Sequence, residues 1–278
     1  MRFFCILFLS VLVVCCTAQE LVTINVVYQP GNTYHYVEVE EKTESCKGTG
    51  VLDFGDEEVP NPATSTTKST INKVIHTGVI NRDSSFPITI HHRRTREVQG
   101  RGFYKEGVYQ DSVIVRGNCW NDSLKFDSVQ LLPRNDYLIR DAAIAKVRET
   151  LFDYNYAAGF FEINNRKLRP GETFINVISR PRGKEESYMD TMVFTLLQVD
   201  QNIAVLSFTR HGTFDYKTSH IDKHSEFHIT GEIKVDLEKQ LIIQRNQEDR
   251  FFELEKMLGL QSEIQTSIIT VMTETLVE

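Results

Sequence analysis

With 278 residues, 31 basic against 38 acidic side chains and a net charge of −7, the chain is long enough for one large hydrophobic core or two smaller ones. The acidic balance excludes a generic nucleic-acid binder, because phosphates demand a basic footprint. After the first residues no apolar run approaches the roughly 18 needed to cross a bilayer as a helix, so the chain is expected not to be an integral membrane protein.

Arg2, the apolar run from Phe3 to Val14 and the small residues up to Ala18 read as a secretory signal peptide over residues 1–18. Export to the periplasm or beyond follows as an expectation. Cys15 and Cys16 offer a second reading, a lipid anchor, against which the bulky Val14 stands. Beyond the leader only Cys46 and Cys119 remain, and such a pair in an exported chain is expected to form a disulfide.

Residues 19–134 read as a β-rich half. Val22 to Tyr28 alternates, Pro30-Gly31-Asn32 turns the chain, and Tyr34 to Glu41 follows as the partner strand of a hairpin. Gly55 to Thr70 is acidic and rich in Pro, Ser and Thr, which predicts an exposed loop. Strands resume over Ile71 to Ile80, Pro87 to Val98, Tyr109 to Arg116 and Leu124 to Leu132. The basic run His91-His92-Arg93-Arg94-Thr95-Arg96 reads as a solvated strand end or hairpin.

Residues 135–158 form a connection in which Ile139, Ala143, Val147 and Leu151 recur every four residues, predicting one amphipathic helix over Asp136 to Phe152. Strands return through residues 159–278: Glu172 to Ser179, Asp190 to Val199, Ile203 to His211, Glu226 to Leu237, Leu241 to Arg245 and Glu263 to Thr275. The clearest is Glu226 to Leu237, with Phe227, Ile229, Ile233 and Val235 on one parity and charged or polar residues on the other. Gly231, on the apolar parity, points to a bulge or a close approach. The strand at Met192, Phe194 and Leu196 is apolar on both parities, so a covering layer is expected over each face, the helix being one. Phe251 to Leu260 lacks alternation and reads as a short core helix or a flap.

The fold class is therefore mainly β, an antiparallel open barrel or curled sheet with one mid-chain amphipathic helix. Pro30-Gly31-Asn32-Thr33-Tyr34 recurs as Pro170-Gly171-Glu172-Thr173-Phe174, a hint of two similar halves. The order of helix, Pro170 to Phe174, a strand rich in threonine and apolar residues, a hairpin and the run Ile229 to Gln244 resembles an uncharacterised family of exported bacterial β proteins. That resemblance covers Asp136 to Glu278, and the N-terminal half loosely. It implies a lipocalin-like or lipoprotein-carrier-like open barrel, and it brings no catalytic residue with it.

Three groups of residues carry candidate chemistry. Met192, Phe194, Leu196, Phe227, Ile229, Ile233 and Val235 would line an apolar groove for a lipid or other apolar ligand. His220, Asp222 and His224 would be the metal candidates, since on a strand His220 and His228 lie too far apart to share an ion. Arg210-His211-Gly212 matches the triplet of histidine phosphatases, but the strand-rich sequence after it lacks the α/β context that chemistry needs. No cofactor fingerprint occurs. The expected role is a binding or carrier module for an apolar ligand in the cell envelope. A structural module with a filled core, engaging an envelope protein partner, and a secreted hydrolase are the alternatives.

Overall fold

The computed structural model describes residues 21–49, 62–101, 107–120, 124–131, 163–181, 186–257 and 260–277. Within them the chain forms β1 (Val22–Ile24), β2 (Thr33–Thr49), β3 (Ala63–Thr77), β4 (Phe86–Arg101), β5 (Gly107–Cys119), β6 (Leu124–Leu131) and β7 (Arg166–Leu168). There follow β8 (Thr173–Pro181), β9 (Glu186–Asp200), β10 (Ile203–Lys217), β11 (Ile221–Asp236), β12 (Leu241–Met257) and β13 (Leu260–Val277). The helix expected over Asp136 to Phe152 and the signal peptide expected over residues 1–18 lie outside the described residues.

Eleven strands make one antiparallel sheet in the order β6-β5-β4-β3-β2-β13-β12-β11-β10-β9-β8. The two meanders join where β13 pairs β2, Val277 opposite Thr33. Because the number of strands is odd, the edges β6 and β8 run in the same direction. Antiparallel closure of the one on the other is therefore impossible, and the described residues form an open sheet.

Each meander begins in the same way. A three-residue strand, β1 or β7, precedes a Pro-Gly turn whose glycine takes a positive φ, +77° at Gly31 and +88° at Gly171, where a side chain would be strained. Gly31 N–H donates to Gly78 O at 2.9 Å, and Gly171 N–H donates to Leu196 O at 2.7 Å. The short strands then pair with each other, Val22 opposite Leu168. This corrects the expected hairpin of the first two strands: β1 is clasped to the second half, with the Asn164 side chain bonding both the N–H and the O of Val26.

Strand lengths also differ from expectation. Ala63 to Thr70 belongs to β3 instead of a loop, because its Ser and Thr residues alternate as a strand requires, with Ala63, Ser65 and Ser69 buried. Phe251 to Met257 is neither helix nor flap but the continuation of β12, paired with β11 on one side and β13 on the other.

One face of the sheet is inner. A large cluster on it gathers Met192, Phe194, Leu196, Leu206, Phe208, Ile233 and Val235 under Ile24, Ile163 and Leu168, so the β1–β7 ribbon covers this end of the sheet. A second cluster holds Tyr34, Ile75, Phe86, Ile88, Cys119 and Leu241. Among the described residues no second layer covers β9: on the outer face Ile175, Val177, Met189 and Leu197 are exposed.

The disulfide expectation is corrected. Cys46 and Cys119 are both buried free thiols. Cys46 lies opposite Ala63 at one end of β3, whereas Cys119 lies opposite Phe86, beyond the other end of that strand. Some fifteen residues of rise at about 3.3 Å each separate the two levels, far more than the roughly 7 Å a bridge tolerates between Cα atoms. Denatured, unreduced protein produced without residues 1–18 should therefore titrate two thiols per chain, and none would contradict this geometry.

Candidate binding face

The inner face divides by chemistry. Across β8 to β11 it is mainly apolar, with the Asp190–Arg210 pair set among the apolar side chains. Five of the seven expected groove residues, Met192, Phe194, Leu196, Ile233 and Val235, are packed in the large cluster and buried. The other two, Phe227 and Ile229, share that face and are half-buried. The structure therefore brings the seven together, most of them as floor and two as surface. Phe214 and Phe251 are half-buried on the same face, with Phe227 6.5 Å from the rings of both Tyr188 and Phe251.

Two glycines create this surface. A Cβ on Gly231 would stand 2.4 Å from Asn246 O and 2.6 Å from the Phe208 ring, and one on Gly212 would stand 2.4 Å from the Phe227 ring. Each phenylalanine ring occupies the space beside a glycine on the neighbouring strand. The expected irregularity at Gly231 is thus a close approach, and the nearest register shift falls at Lys234/Val235.

Across β2, β3, β4, β13 and part of β12 the same face carries charged side chains beside the second apolar cluster. Glu38 is fully buried and accepts from Arg245 Nη2 at 2.7 Å and from the Tyr36 hydroxyl. Lys73 sits 4.0 Å over the Tyr36 ring. Arg94 Nη2 donates to Glu40 at 2.9 Å and to Ser69 Oγ at 3.2 Å. Burial of Glu38 alone would raise its pKa, but Arg245 and Lys73 outweigh that and hold it below the usual carboxylate value. Burial drives Lys73 down to about 8 and His92 down to about 4, so His92 is neutral at physiological pH.

Glu274 shows the opposite balance. Burial lifts it to about 7 against the bond donated by Tyr28 and the field of Lys73, and burial likewise lifts Asp249 to about 6. A carboxyl whose folded pKa is raised adds stability that is fully present below its unfolded value and lost as pH rises through its folded value. The melting temperature should therefore fall between about pH 5 and 8, and Glu274→Gln should flatten that fall. An equal slope in parent and variant would contradict it.

The inward arginines and histidine of β4 are what the sequence reading missed. His92, Arg94 and Arg96 share their parity with Ile88, Ile90 and Val98 and pair across to Lys73, Ile71 and Ser69 of the inner face. The expected solvated strand end is thus split, with His91, Arg93 and Thr95 on the outer face. The signal was the parity itself, since the basic run continues an alternating strand without a break.

The remaining motifs separate. Arg210 is on the inner face, bonded to both oxygens of buried Asp190 at 2.5 to 3.1 Å and to the Tyr188 hydroxyl at 3.2 Å, while His211 faces outward and is exposed. The triplet places its two chemical groups on opposite sides of the sheet. The metal candidates do not converge: Asp222 takes Lys217 at 2.8 Å, His220 lies in the preceding turn, and His224 sits between Asp215 and Glu226. Among the described residues no group of three ligand side chains could hold an ion.

No family model matches the chain, and no curated protein does. The resemblance to an exported bacterial family thus has no support beyond an all-β fold. Among solved structures, the chain is similar to an outer membrane channel from Pseudomonas putida F1, at 10% identity and a TM-score of 0.33, with 90% of this chain and 98% of the other covered. It is also similar to OccK7 (OpdD) of Pseudomonas aeruginosa, at 6% identity and a TM-score of 0.26, with 89% and 100% covered. A third is the monoaromatic hydrocarbon channel TodX, as a deletion mutant, at 7% identity and a TM-score of 0.19, with 91% and 92% covered. The expectation that the chain is not an integral membrane protein is withdrawn. It rests on helix length, and although no described helix is long and apolar enough to cross a membrane, that says nothing of strands. At such scores these likenesses assign the chain neither a fold nor a role.

Proposed function

We propose that the protein is a binding or carrier module of the cell envelope whose inner sheet face receives an apolar or amphiphilic ligand. The observation that carries this reading is the half-buried aromatic surface of Phe214, Phe227 and Phe251, with Ile229, standing on a floor that is already packed. A filled core would bury these rings, since each fully buried large side chain is worth about 1.5–3 kcal/mol. Small-molecule sites commonly combine such an apolar lining with a few convergent polar groups, here the charged residues of β2 to β4. Export, by the leader-like first 18 residues, would bring the module to the envelope.

Titration with the neutral dye N-phenyl-1-naphthylamine tests the reading. The protein should enhance its fluorescence saturably, a long-chain alcohol should displace it, and Phe227→Ser with Phe251→Ser should weaken binding at least tenfold. Absence of saturable binding would leave the structural-module reading in its place.

A further inference from the structure

We propose that the ligand is an amphiphile with an anionic phosphate or carboxylate head, held at Arg94 on β4, its chain lying towards the phenylalanines of β10 to β12. This deepens the binding reading above and rests on it. The segregation of the inner face is the first ground. The apolar half ends at β12, where Phe251 is followed inward by residues such as Arg245 and Asp249. Beyond them, Glu38, Glu40 and Lys42 of β2, Ser65, Thr67 and Ser69 of β3 and Arg94 and Arg96 of β4 follow on the same face. A purely apolar molecule long enough to leave the phenylalanines would desolvate these groups without pairing them, which is unfavourable for each.

The second ground is how the inner cations are used. Asp190 holds two nitrogens of Arg210, and Glu38 holds Arg245. Arg94 differs. Its Nη2 serves Glu40 and Ser69, but its Nε is buried and has no acceptor. A guanidinium presents two edges, and the Nε edge is one that planar anions such as carboxylate and phosphate engage through paired bonds. A cationic head could reach Glu40 or Glu38 only by displacing Arg94 or Arg245, and it would leave the Arg94 Nε unmet. An anionic head instead completes a donor that the fold leaves unmet, beside the hydroxyls of β3.

The test is a calorimetric comparison of four probes below their micelle concentrations: dodecyl phosphate, dodecanol, dodecyltrimethylammonium and inorganic phosphate. Dodecyl phosphate should bind at least tenfold more tightly than the other two C12 probes, and inorganic phosphate alone should not bind. Arg94→Gln should erase the preference, and Arg94→Lys should restore part of it. Equal affinity for the three C12 probes overturns the head-group assignment and leaves the apolar reading intact. Failure of every C12 probe to bind overturns that reading as well. Inorganic phosphate binding as tightly as dodecyl phosphate would make the site a free-anion site and overturn the proposal. Should Arg94→Gln fail to fold, the probe series on the parent protein still decides.

Discussion

Arg245→Ala should lower the stability of the folded chain by about 3–5 kcal/mol, the cost of leaving a buried charge without its partner. Glu38 is fully buried, the Arg245 side chain is 6% exposed, and the two meet at 2.7 Å. Desolvating the pair consumes much of its attraction, so the loss reports an abandoned carboxylate more than the worth of the bond. The double variant Glu38→Met with Arg245→Met should therefore recover most of the loss. Urea unfolding of the three proteins measures this. A double variant as unstable as Arg245→Ala would show that the network organises the sheet beyond this pair.

Gly231→Ala should cost about 2–3 kcal/mol, in the range of overpacked sites, although alanine is ordinarily the better residue in a strand. Its Cβ would meet Asn246 O at 2.4 Å, a backbone atom locked in the β11–β12 ladder, and the Phe208 ring at 2.6 Å. Gly31→Ala provides the contrast, because no atom lies within 4 Å and only its φ of +77° resists a side chain. That change should cost about 1 kcal/mol. Equal losses at the two positions, read from the same unfolding curves, would refute the close approach at Gly231.

Alternation made much of the sheet legible. The parity of Phe227, Ile229, Ile233 and Val235, and that of Met192, Phe194 and Leu196, put these residues on the face where the structure has them, because a strand side chain can take only one of two sides. Pairing between distant segments was not legible. Nothing local in Val22 to Ile24 shows that it will bond Arg166 to Leu168 across the chain instead of the strand that follows it. Composition misled where it was allowed to override period. Ala63 to Thr70 looks like a loop by its serines and threonines and is a strand by its register, and the basic run of β4 looks solvated by its charge yet turns half its side chains inward. The cysteines misled for another reason: counting thiols carries no information on how far along a strand each one sits.

The most direct measurement of whether the inner face is a binding surface is native mass spectrometry of the protein as purified, before and after extraction with organic solvent. An occupied face predicts a mass excess over the chain, removed by extraction, returned by adding dodecyl phosphate, and reduced in Phe227→Ser with Phe251→Ser. A spectrum showing the chain alone in every preparation, with no uptake of any added long-chain amphiphile, would contradict it.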